Sequence, residues 1–125
     1  MRNSYIFILL FLIVSCSKNE GDVFRSLDSS KTKIEFSNHI TESDNLNILD
    51  YLYFYNGGGV AVGDINNDGL PDIFLSANQN LNILYLNLGD FQFEDISESA
   101  GIIGESSWST GSIMVDINND GWLDI

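Results

Sequence analysis

Basic residues are scarce in this chain. Five Lys and Arg stand against eighteen Asp and Glu in 125 residues, a formal net charge of −13. Such a surplus of negative charge repels phosphate backbones and anionic headgroups, which argues against nucleic acid as a partner. Cysteine is nearly absent too. Cys16 stands alone, so no internal disulfide can form. Histidine occurs once, as His39 in a stretch of Asn and Thr, where it reads as a surface residue. Nothing pairs a nucleophile with a base or leaves an open metal site, so no catalytic residue is expected. Long apolar runs are missing as well. The longest, Tyr5 to Val14, covers about 15 Å as a helix, half of a bilayer core. Beyond residue 57 no segment carries a 3.6-residue apolar stripe.

What is present begins with that apolar run. A basic start at Arg2, an apolar middle and a small-residue end describe a secretory signal over residues 1–15. Its last residues, Ile13-Val14-Ser15-Cys16, resemble the lipobox of bacterial lipoproteins, in which the Cys is lipidated and becomes the first mature residue. An ordinary signal with a stray Cys is the plainer alternative. Several acyl chains would hold the protein stably, so the expectation is an exported protein at the outer membrane or cell surface. It would touch the membrane through its lipid anchor only. Loss of residues 1–15 removes Arg2 and no acid, leaving a net charge of −14. Residues 16–33 are polar and charged and read as a flexible tether. The cluster from Ile48 to Tyr55 must pack somewhere, as strand or as irregular chain.

From Gly57 onward the pattern is β. Val60 to Ile65, Asp72 to Ala77, Asn82 to Asn87 and Phe91 to Ile96 are short segments rich in strand formers, separated by turn-forming stretches. Asn78, Gln79, Asn80 and Asn82 read as turn residues. A repeat is visible at an offset of 52 residues: Gly59 to Ile73 and Gly111 to Ile125 agree at nine of fifteen positions. Four strands at a period near 50 predict an all-β fold built of β-propeller blades. Residues 34–125 hold one full unit and the opening of a second, where a propeller takes roughly four to eight. The expectation is therefore a fragment of a larger propeller.

Both repeats contain D-x-N-x-D-G-x-x-D. The first supplies Asp64, Asn66, Asp68, Gly69 and Asp72, and the second Asp116, Asn118, Asp120, Gly121 and Asp124. Calcium takes six to eight oxygen ligands, and side chains at positions 1, 3, 5 and 9 of a tight loop can converge on one ion. The backbone carbonyl at position 7, from Leu70 or Trp122, adds a further oxygen. Neither loop holds a thiolate or an imidazole, which argues against zinc and copper. An EF-hand shares the opening spacing but needs an acid at position 12 and helical flanks, and position 12 of the first loop is Leu75. The remaining alternative is a plain Asn-Asp-Gly hairpin turn with solvated acids.

The loops with their flanking strands resemble the FG-GAP/VCBS repeats of integrin-type β-propellers. Tyr55 to Asp64, Leu84-Tyr85-Leu86-Asn87 and Phe93-Glu94-Asp95-Ile96 resemble more narrowly the cartilage-acidic-protein-like (ASPIC/UnbV) family. That resemblance implies a seven- or eight-bladed propeller with calcium in its hairpin loops, and a role in adhesion, recognition or scaffolding. The expected function is that of a calcium-binding module at the cell surface, facing a protein or a polysaccharide. Trp108 could meet a glycan or pack between blades. The competing expectation is an accessory module of an exported enzyme whose catalytic domain lies beyond residue 125.

Overall fold

The computed structural model of the protein describes residues 24–102 and 108–125; the signal segment, Cys16 and Ser107 lie outside them. Among the described residues no helix is long and apolar enough to cross a membrane. The only helix among them, α1, is one turn, Ser29–Thr32, inside the stretch expected to be a tether. Asp28 caps it by accepting the Ser30 N–H at 2.8 Å, and Lys33 closes it in the left-handed region.

The centre is a four-stranded antiparallel meander in the order β1-β2-β3-β4: Val60–Gly63, Asp72–Leu75, Ile83–Asn87 and Phe93–Asp95. All four expected strands form, each shorter than its β-rich segment. β1 stops at Gly63 because Asp64 opens the loop. β4 starts at Phe93 rather than Phe91, since Asp90 and Phe91 both take positive φ in the turn after Gly89. Phe91 is consequently exposed while Phe93 is buried. The stretch 51–55 is irregular, held by turns such as Phe54 N–H to the Tyr51 carbonyl at 3.0 Å.

Register explains the core. Ala61 lies opposite Phe74, and Phe74 opposite Leu84, so alternation sends all three to one face. They are buried together, with Ile65, Ile96, Ile102 and Met114 packed around them. Ile73 pairs with Tyr85 on the other face. Tyr85 is buried there and its hydroxyl accepts the Glu35 N–H at 3.2 Å. Residues before the sheet thus cover its second face. Phe54, fully buried, packs on Trp108 with ring centroids 5.1 Å apart, and Tyr51 meets the same ring edge-on at 5.5 Å. Trp108 is thereby half-buried against these two rings.

The second repeat opens against the first. Val115 and Asp124 form a bridge that repeats the pairing of Gly63 with Asp72. The repeat-equivalent glycines lie against each other: a Cβ on Gly59 would stand 2.8 Å from the Gly111 Cα and 2.6 Å from the Ser112 nitrogen. Only a residue without a side chain allows β1 to approach its successor this closely.

Candidate functional site: the paired acidic loops

The loop between β1 and β2 spans 64–71, and its acids organise its backbone. Asp64 accepts the N–H groups of Asp68 and Gly69 through its two oxygens, at 3.1 and 2.8 Å. The Asp68 N–H is shared with the Asn66 side-chain oxygen at 3.1 Å. Asp68 accepts the Leu70 N–H at 2.8 Å and the Asn66 amide at 2.8 Å. Two residues take the positive φ that such a tight reversal demands, Asn67 at 58° and Gly69 at 86°. Asn tolerates that region better than other side chains, and Gly adopts it without penalty.

The second loop repeats this frame bond for bond. Asp116 accepts from Asp120 and Gly121 at 3.1 and 2.8 Å. Asn118 accepts from Asp120 at 3.0 Å. Asp120 accepts from Trp122 and from the Asn118 amide, both at 2.9 Å. The Trp122 N–H, and after it the Asn118 amide, hold the Asp120 carboxyl below the usual carboxylate range. Asn119 and Gly121 sit at φ 60° and 90°. The carboxylates are the acceptors that shape each loop, while Asp68 and Asp120 also remain exposed to solvent. The EF-hand alternative fails in three dimensions, since Leu75 lies in β2 and pairs with Val60.

The ninth position separates the loops. Asp72 is fully buried, and its carboxylate accepts the Ile65 N–H at 2.9 Å and the Asn87 N–H at 2.8 Å. One side chain thereby ties the start of the loop to the end of β3. Asp124 makes the matching bond to Ile117 at 3.0 Å but is exposed.

All donors of the site are oxygens, the donor chemistry of a hard cation. Each carboxylate oxygen has two lone pairs, so an N–H bond leaves room for a metal contact. The side chains are turned onto the loop's own N–H groups, however. Among the described residues no three His, Cys, Asp or Glu side chains gather closely enough to hold an ion between them.

A second polar constellation was not expected from the sequence. Asn78 is buried and exchanges two bonds with Asn38, at 2.7 and 3.1 Å. Its amide nitrogen also reaches the carbonyls of Gly57 and Ser109, both at 3.2 Å. Gln79 bonds the N–H and carbonyl of Thr41 at 2.7 and 3.0 Å, and Asn80 reaches the Ser37 and His39 carbonyls. These amides are turn residues, as expected, and also a clamp on the preceding segment. Their density was the signal; partners some forty residues away were not readable. His39 itself is exposed.

An FG-GAP-like repeat model matches residues 64–125, a span that takes in both loops. Cartilage acidic protein 1 of Xenopus tropicalis is 40% identical over 72 residues, which is 57% of this chain and 11% of that protein. The protein of the same name from Homo sapiens is 39% identical over 72 residues, again 57% and 11%. That from Mus musculus is 36% identical over 69 residues, 55% of this chain and 11% of that protein. The matched stretch thus spans about a tenth of the length of these curated relatives. No solved structure matches significantly. FG-GAP repeats are non-catalytic modules. The duplicated loop, the four-stranded antiparallel blade and the likeness to cartilage acidic protein 1 agree, and residues 64–125 of this chain carry an FG-GAP-like repeat.

Proposed function

We propose that the chain is a calcium-stabilised binding module held at the cell surface. Asp64, Asn66, Asp68 and Asp72, with the Leu70 carbonyl, would hold one ion. Asp116, Asn118, Asp120 and Asp124, with the Trp122 carbonyl, would hold another. Each site would set three carboxylates against one divalent charge. Bound calcium would draw the loop's acids together, neutralise them and brace β1 against β2. The observation carrying this reading is that two loops 52 residues apart reproduce one frame of N–H bonds accepted by Asp and Asn oxygens. Cys16 would carry the lipid anchor. A protein or polysaccharide ligand would suit the exposed Leu49, Leu52, Tyr53 and Tyr55, since clustered exposed apolar residues mark interaction surfaces.

The test is thermal unfolding of the full chain in EDTA and in calcium. A ligand present at a hundred times its dissociation constant stabilises by about 2.7 kcal/mol, several degrees for a domain of this size. Asp68→Ala should lower the melting temperature in EDTA, because Leu70 N–H and the Asn66 amide lose their acceptor. It should also shrink the gap between the two curves. Curves that coincide for the parent chain would refute the calcium reading. Membrane partitioning of Cys16→Ser checks the anchor: the variant should be released, and retention would refute it.

A further inference from the structure

The two loops are equal in sequence and share one frame of backbone bonds. The first is anchored in a finished sheet through the buried Asp72, which holds Ile65 and Asn87 together. In the second, Asp124 makes the matching bond from Ile117, and Val115 bridges to Asp124. One side-chain bond passes from the first loop to the second: Asn67 donates to the Gly121 carbonyl at 3.1 Å, across 54 residues of sequence. Left-handed backbone at Asn67 aims its amide out of its own loop and toward the next. The peptide plane it reaches is the one whose other end, the Trp122 N–H, donates to Asp120. A peptide unit is planar, so fixing its oxygen orients its N–H.

We propose that Asn67 is a positioning residue that couples the tips of the two loops, its amide holding the peptide unit that leads into Trp122. The strand contacts at Gly59 with Gly111, and at Gly63 with Met114 and Leu123, hold the repeats together at their strands. Asn67 holds the loop tip itself. Where the calcium reading holds, order in one loop favours ion uptake by the other, because the held peptide unit immediately precedes the Trp122 carbonyl; that consequence rests on the proposed function, whereas the link does not.

Amide hydrogen exchange of the full chain in EDTA tests the link. Asn67→Gly keeps the positive φ and deletes the donor. Asn67→Asp keeps the shape and sets a carboxylate oxygen against the Gly121 carbonyl. Both should speed exchange at Gly121 and Trp122, on the order of fivefold, as loss of one hydrogen bond implies. The change at Gly69 and Leu70 should be smaller. Unchanged exchange in the second loop, or a change no larger than in the first, would overturn the proposal. A calcium titration run alongside separates the two ideas. No uptake by the parent chain sinks the metal reading and leaves the exchange data to judge the link.

Discussion

Removing the Asp72 carboxylate should damage the blade more than removing any other loop acid. Its two oxygens accept N–H groups from the start of the loop and the end of β3, at 2.9 and 2.8 Å, in a position with no solvent exposure. Hydrogen bonds to a charged group are worth about 1.5–3 kcal/mol each, and a donor left buried without a partner costs about as much. Asp72→Ala gives up two such bonds and also removes a carboxylate that burial disfavours, which offsets part of the loss. A net destabilisation of about 2–4 kcal/mol follows. Asp72→Asn preserves the volume and one acceptor but turns an NH2 toward an N–H, so roughly half that cost is expected. Asp124→Ala removes the equivalent acid where it is exposed and bonds Ile117. It should cost less than about 1 kcal/mol. Urea unfolding followed by circular dichroism, in EDTA, ranks the three variants directly. An Asp72→Ala midpoint equal to that of the parent chain, or Asp124→Ala costing as much as Asp72→Ala, would refute the anchoring role.

The glycine pair gives a second contrast. Gly59→Ala places a methyl 2.6 Å from the Ser112 nitrogen, so it should part the repeats and cost about 1–3 kcal/mol by urea midpoint. Gly111→Ala meets nothing within 4 Å and should be nearly neutral. Acid should loosen the second loop: the Asp120 carboxyl is depressed in the folded chain, so its contribution is full above the ordinary carboxylate value of about 4 and is lost as pH falls through its lowered value. The Trp122 amide shift, followed by NMR below pH 4, checks this; a shift that titrates above pH 4 would contradict it. Base should act at Tyr55, whose phenol donates to Glu42 at 2.6 Å and is raised above its usual value. That bond is intact below pH 10 and breaks as pH rises past the raised value, visible as delayed phenolate absorbance compared with Tyr55→Phe.

Much of the blade was readable because its signals are local. Asp-Gly and Leu-Gly turns, short β-branched and aromatic segments, and a 52-residue repeat predicted four strands, and four strands form in that order. The start of β4 differs from the expected Phe91 because Phe91-Gln92-Phe93-Glu94 alternates regardless of where the turn closes. Positive φ at Asp90 and Phe91 moves the first aromatic into the turn. The loop composition likewise announced its acids, and their spacing put Asp64, Asn66 and Asp68 around one set of backbone N–H groups. In such loops donor and acceptor are two to five residues apart, so the motif almost specifies its own geometry.

Sequence by itself therefore determined the blade's strand order, the shape of each acidic loop and the repeat type, since each depends on residues close along the chain. Tertiary structure alone decided how the first motif is anchored, with Asp72 buried between the loop and β3. It alone also decided that Asn78 clamps Asn38, that Trp108 packs on Phe54, and that Asn67 reaches Gly121. Those contacts join positions 40 or more residues apart, and no local preference encodes which surface a side chain meets once the sheet has formed.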